Sequence, residues 1–129
     1  MQILNPSIVA KPGAGYAQGV AAAGAVYVAG QVAIDATGAI VGAGDMAAQT
    51  RQTLANVAGV LAEGGMTLAD VVSTTVYVSD LSHYRVFCDT WCEVFGAHTP
   101  ARATIKAELV HPALLVEVQA IAVKSAGGA

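Results

Sequence analysis

Charge and aromatic rings are both scarce in this chain. Only 12% of its 129 residues are charged and 5% aromatic, with a single Trp. The six basic residues (Lys11, Arg51, Arg85, Arg102, Lys106 and Lys124) are scattered, and the net charge is -3. Phosphate backbones are held by clustered cations, so this distribution argues against nucleic acid as a partner. No apolar run approaches the ~20 residues of a membrane span. The opening MQILNPSIVAKPG lacks a basic stretch followed by a long apolar run. The expectation is a cytoplasmic protein with no membrane partner. Cysteine is scarce too. Cys88 and Cys92 lie four apart in a segment of helical period, and His83, His98 and His111 stand at no Cys/His ligand spacing around them. The pair therefore reads as core packing, with no metal expected.

What the chain has in quantity is small apolar residues. The hydrophobic fraction is 55%, alanine is abundant and there are 14 glycines, a composition suited to a tightly packed interior and unsuited to disorder. The length fits one domain, taken as residues 1–124, with 125–129 (SAGGA) as a frayed tail. The glycine-rich ATGAIVGAGD has neither Walker spacing nor a GxGxxG opening a helix after a strand, so it is turn chemistry and not a phosphate cradle.

Periodicity gives the order of elements. A short strand near Ile3 and Leu4 precedes a KPGAG loop, and YAQGVAAAGAVYVAGQVAID predicts a hairpin whose arms meet near Ala23 and Gly24. Asp45 is a suitable N-cap for a helix of about five turns with Ala47, Leu54, Val57 and Leu61 inward. Its wet side is Gln49, Gln52, Asn56 and Glu63, and Gly64-Gly65 ends it. VVSTTVYVS is a β-branched strand. A second helix runs from Asp80 to Gly96 with Tyr84, Phe87, Cys88, Trp91, Cys92 and Phe95 on one broad side. That stripe reads as core, with one member free to line a site at its rim, and Trp91 is taken as a candidate.

TPARATIKAEL (99–109) follows as a strand of two faces, Arg102, Thr104, Lys106 and Glu108 against Ala101, Ala103, Ile105, Ala107 and Leu109. After a turn at His111-Pro112 comes a last strand, ALLVEVQAIAVK. The pattern predicts an α+β fold, a mixed sheet with two helices on one face. Neither side of the last strand is polar enough to stay wholly in water, so the uncovered face calls for a second copy, and pockets are expected at the seams of a homo-oligomer.

The segments VYVAGQVAID, AAQTRQTLANVAGVLAEGG, TLADVVSTTVYVSDL, TPARAT and LLVEVQAIAV together resemble the Rid family, the reactive intermediate deaminases, also called YjgF-like or endoribonuclease L-PSP. The resemblance spans about residues 15–124. It implies a chorismate-mutase-like fold and a homotrimer with a central β-barrel and clefts between subunits. It also implies hydrolysis of small imine or enamine acids to keto acids and ammonia, without metal or organic cofactor. Carried over, Tyr16 matches a pocket tyrosine, Gly30-Gln31 the SGQ turn, and Arg102 the substrate arginine. Ala29 stands in place of serine, Cys88 of a neighbouring subunit's asparagine, Thr104 of cysteine, and Gln119 of the expected pocket glutamate.

In that reading Arg102 clamps a carboxylate, for which its planar fork is suited, and Tyr16 closes the cleft. The backbone carbonyl of Thr104 accepts a hydrogen bond, and Gln119 orients a water without being able to take its proton. Glu117, about 7 Å away along the strand, reads as a solvated or inter-subunit carboxylate in preference to a base. Hydrolysis of an imine or enamine acid is the leading expectation. The alternative is a non-catalytic trimer binding small carboxylate or carbonyl metabolites.

Overall fold

A computed structural model describes residues 1–124, so the expected tail at 125–129 lies outside the described residues. Six strands, β1 (Gln2–Leu4), β2 (Gly19–Ala22), β3 (Ala25–Val32), β4 (Val71–Val78), β5 (Ala101–Lys106) and β6 (Val116–Val123), form one sheet in the order β1-β2-β3-β6-β4-β5. Neighbours are antiparallel except β4 and β5, which run parallel. A parallel pair needs a crossover, and helix α2 (Tyr84–Phe95) supplies it. Helix α1 (Met46–Glu63) connects β3 to β4. The hairpin closes at the expected place, where Ala23 and Gly24 both take positive φ (51° and 80°), as tight hairpin turns demand.

Strand alternation sorts the sheet into two faces. Val116, Val118, Ala120 and Ala122 of β6 are buried together with Val26 and Val28 of β3 and Thr74, Val76 and Val78 of β4. Leu54, Val57, Val60 and Leu61 of α1 and Phe87, Trp91 and Phe95 of α2 complete this core. The other face has no helix on it and carries half-exposed apolar groups, among them Tyr27, Ile105 and Val123.

Helix α1 starts where Asp45 accepts a hydrogen bond from the Ala48 N–H. It ends in a left-handed Gly65 (φ 76°), which lets the Met66 N–H reach back to the Leu61 carbonyl. Two of its residues expected on the wet side are buried, Gln49 and Asn56. Their amides bond backbone groups of the end of β3 and of the segments that follow β3 and precede β6. Gln49 donates to the carbonyls of Gly42 and Ala113 and accepts from the Leu115 N–H. Asn56 donates to the carbonyls of Val32 and Ile34. A periodicity argument reads amides as solvent-facing, whereas here they satisfy loops packed beneath the helix.

The second helix departs from expectation at its start. Asp80 caps a 3₁₀ turn over Leu81–His83, which then leads into α2, and Gly96 ends the helix. The cysteines differ: Cys88 is half-buried and packs against the core, as expected, whereas Cys92 is exposed. Phe87, Trp91 and Phe95 recur every four residues and fill the stripe, which leaves positions 88 and 92 at its margin.

Candidate active site

The quoted strand is shorter than expected and lies at the sheet edge. β5 pairs only with β4, Arg102 opposite Thr74 and Thr104 opposite Val76. Thr74 and Val76 point to the helices, so Arg102 and Thr104 do as well, and Ala101, Ala103 and Ile105 face the helix-free side. The arginine therefore leans over α2. Its guanidinium carbon lies 5.3 Å from the Phe87 ring centre and 5.1 Å from that of Trp91, within reach of a cation–π attraction. Its Nη2 donates to the Tyr84 hydroxyl at 3.3 Å and to the Cys88 sulfur at 3.7 Å. Among the described residues it forms no ion pair, whereas Arg51 and Arg85 pair with Glu93 and Asp89. A cavity of about 360 Å³ opens beside it, bounded by Trp91, Phe95, His98 and Pro100. The result is a guanidinium held in place by rings and weak acceptors, with its charge uncompensated among the described residues and space next to it.

A second group of residues lies elsewhere. Glu117 pairs opposite Tyr77 and Val32, and Gln119 opposite Thr75, all on the helix-free face. The β3–β6 ladder is irregular between Val28 and Gln31. This bulge carries Ala29 and Gly30, and Gly30 lies against the Glu117 side chain. A Cβ there would be 2.5 Å from Oε2 and 2.9 Å from the carboxyl carbon, so glycine is what allows the approach. Among the described residues Glu117 has no hydrogen-bond or ion-pair partner, and burial raises its carboxyl above the ordinary carboxylate range. Gln119 is exposed. The group beside the Gly30 turn is thus the carboxylate of Glu117, and the amide of Gln119 sits one strand repeat further on.

Gln31 is buried and turns the opposite way, donating to the Gln18 side chain at 2.8 Å and the Ala29 carbonyl at 3.1 Å. Tyr16, two residues before Gln18, is 54% exposed.

The residues singled out from the sequence thus separate into two half-sites. Arg102, Thr104, Cys88 and Trp91 share the wall formed by α2 and the edge strand. Ala29, Gly30, Glu117 and Gln119 lie on β3 and β6, with Tyr16 leading into that hairpin. The sheet itself stands between Arg102 and Glu117. Sequence reading missed Tyr84 as a partner of Arg102, although its spacing of four from Cys88 places both on one helix edge. It also missed Gln18, which carries no signal of its own. Among the described residues no three His, Cys, Asp or Glu side chains gather closely enough to share a metal ion, and no helix is long and apolar enough to cross a membrane.

Fold and residue placement together define a small α+β protein with a candidate half-site on each face of one mixed sheet. The family model for endoribonuclease L-PSP matches residues 8–124. A RutC family protein of Pyrococcus horikoshii is 37% identical over 114 residues, 88% of this chain and 90% of that one. Among solved structures, the YjgF gene product of E. coli aligns with a TM-score of 0.88 at 29% identity, covering 96% of this chain and 99% of that one. E. coli TdcF with bound serine aligns with a TM-score of 0.89 at 26% identity, over 97% and 100% of the two chains. The chain belongs to the endoribonuclease L-PSP family, the family of the YjgF and Rid proteins.

Proposed function

We propose that the protein hydrolyses a small imine or enamine carboxylic acid to the keto acid and ammonia, in clefts formed where the two half-sites of different copies meet. The observation that carries this reading is the guanidinium of Arg102, pinned over Phe87 and Trp91 with no acidic partner and a cavity beside it. Such a group is preorganised for a carboxylate, which it can grip with two parallel hydrogen bonds. The similarity to TdcF, whose solved structure holds serine, supports an amino-acid-sized ligand.

The two half-sites lie on opposite faces of one sheet, so a single copy cannot close them on one ligand. A ring in which each copy brings its helix-free face to a neighbour's edge strand would join them, in keeping with the homotrimer with clefts between subunits that the resemblance implies. In this assembly Arg102 holds the carboxylate and Thr104 borders it from the same side of β5. Tyr16 covers the opening, and the Ala29–Gln31 turn brings main chain close to the reacting carbon. The proton-transfer role passes from Gln119 to Glu117. A carboxylate whose proton affinity is raised by burial can take a proton from the attacking water and return it to the departing nitrogen. Water adds to the protonated C=N carbon, the tetrahedral intermediate expels ammonia, and the keto acid remains.

The scattered cations, two of them paired with acids, speak against RNA as the substrate. The test is to generate 2-iminopropanoate, 2-aminoacrylate, 3-aminoacrylate and 2-aminomuconate, and to follow keto acid and ammonia release with wild type and Arg102→Ala. Turnover that disappears in the variant supports the proposal. Arginine-dependent binding without turnover would instead favour the metabolite-binding alternative, and carboxylate binding that ignores Arg102 would remove both.

A further inference from the structure

We propose that Gln18 is a positioning residue for the Gly30 turn: from its buried site it clamps Ala29 and Gln31, the two neighbours of Gly30, and so fixes the backbone against which the Glu117 carboxylate lies. The inference rests on the reading of that turn as part of the reacting site.

A β-bulge leaves main-chain groups without ladder partners and bends the strand. At this bulge the Ala29 carbonyl is bonded by the Gln31 side chain, which Gln18 Oε1 orients, while the main-chain bond from Ala29 to Gln18 continues the β2–β3 ladder past Gly19 and Val28. The Ala29 N–H donates to the Gln18 carbonyl at 2.9 Å. The Gln31 side-chain amide donates to Gln18 Oε1 at 2.8 Å and to the Ala29 carbonyl at 3.1 Å. Gln18 is also tied from behind. Its own amide donates to the Ala10 carbonyl at 2.9 Å, and its N–H donates to Asn5 Oδ1 at 2.8 Å. Both glutamines are buried, at 5% and 4% exposure.

Buried amides are tolerated only when their polar atoms are satisfied, and a Met or Leu would fill such a space without that demand. An amide supplies direction. Gln18 joins three segments at once, residues 5–10 that follow β1, the loop that brings in Tyr16, and the Gly30 turn. Reacting groups lose much of their effect when displaced by about 1 Å, so a tie of this kind acts on turnover more than on the carboxylate grip of Arg102, which is on the other face.

The experiment compares Gln18→Met, Gln31→Met and the double variant with wild type. Gln18→Met keeps the side-chain length and removes both amide atoms. We expect kcat on the preferred imine acid to fall by about 10- to 100-fold, with KM and the Kd for pyruvate changing less than about threefold. The double variant should be no slower than Gln18→Met, because both residues hold one turn. Without substrate, the Gly30 amide resonance should shift and its hydrogen exchange accelerate in Gln18→Met, while the Val57 amide in α1 stays protected. Unchanged kcat, equal losses in kcat and pyruvate binding that track a lower Tm, or an undisturbed Gly30 amide each overturn the proposal. If wild type turns over none of the acids, the hydrolytic reading fails, and the Gly30 amide still decides whether Gln18 holds the turn.

Discussion

The two half-sites are built by different means. The Arg102 wall is made of rings: Phe87, Trp91 and Phe95 recur along α2, and the guanidinium rests on the first two. The Glu117 wall is made of backbone: a bulge, a glycine and two buried amides lie beside a carboxylate that has no partner among the described residues. The first needs only the core to be packed. The second needs loops from three parts of the chain to be in register. In the proposed reaction the first would serve binding, which tolerates small displacements of a charged receptor, and the second proton transfer, which does not.

Removing the carboxylate should have the largest effect. In Glu117→Gln kcat is expected to drop by about 10²- to 10⁴-fold, the usual contribution of a positioned acid or base, with pyruvate binding retained. Steady-state kinetics beside calorimetric titration check the split. Gln119→Ala should be close to wild type in the same assays; the reverse ranking would return the role to Gln119.

Arg102→Ala is next. Loss of a charge-assisted, two-pronged contact should weaken carboxylate binding by about 10²-fold or more, and Arg102→Lys should recover only part of it because an ammonium lacks the planar fork. The two losses also test where the walls meet. If each cleft draws one wall from each of two copies, random co-assembly of Arg102→Ala with Glu117→Gln restores about a quarter of the wild-type sites. A mixture as inactive as its components would mean that both walls come from one copy.

Gly30→Ala should be milder. The added methyl meets the flexible end of Glu117, so the carboxylate swings aside. Turnover should fall by roughly tenfold with Tm nearly unchanged, as melting curves and kinetics together would show.

The smallest effect concerns pH. Burial raises the Glu117 carboxyl, so the folded chain keeps a proton there that the unfolded chain releases. Its contribution to stability is complete below the ordinary carboxylate range and is lost as pH rises through the raised value. Glu117→Gln should therefore match or exceed wild type in Tm near neutrality, and this advantage should shrink on acidification. Thermal melts from about pH 4 to 8 cover the window. A wild type that gains on the variant as pH rises would contradict a raised carboxyl.

The elements were legible because local rules govern them. Asp45 and Gly65 bound α1 through hydrogen bonds to residues three to five positions away, and the hairpin turns at Ala23 and Gly24 through their own backbone angles. Burial of Gln49 and Asn56 was not legible. Their partners are carbonyls at positions 32, 34, 42 and 113, and only packing brings these under the helix. The same holds for the exposure of Cys92, which local pattern could not tell from the rings beside it. Within the candidate site, Arg102 stood out in a strand of alternating character. Which of Glu117 and Gln119 lies beside Gly30 did not, because both lie on one side of β6 and Gly30 comes from another strand.

By itself the sequence determined the order of strands and helices, their caps and turns, and the family to which the chain belongs, since each of these is carried by residues close together along the chain. Only the tertiary structure decided that Arg102 rests on α2 and that Glu117 meets Gly30 across the sheet from it. Strand register, which sets the face each side chain occupies, depends on pairing partners far away in sequence.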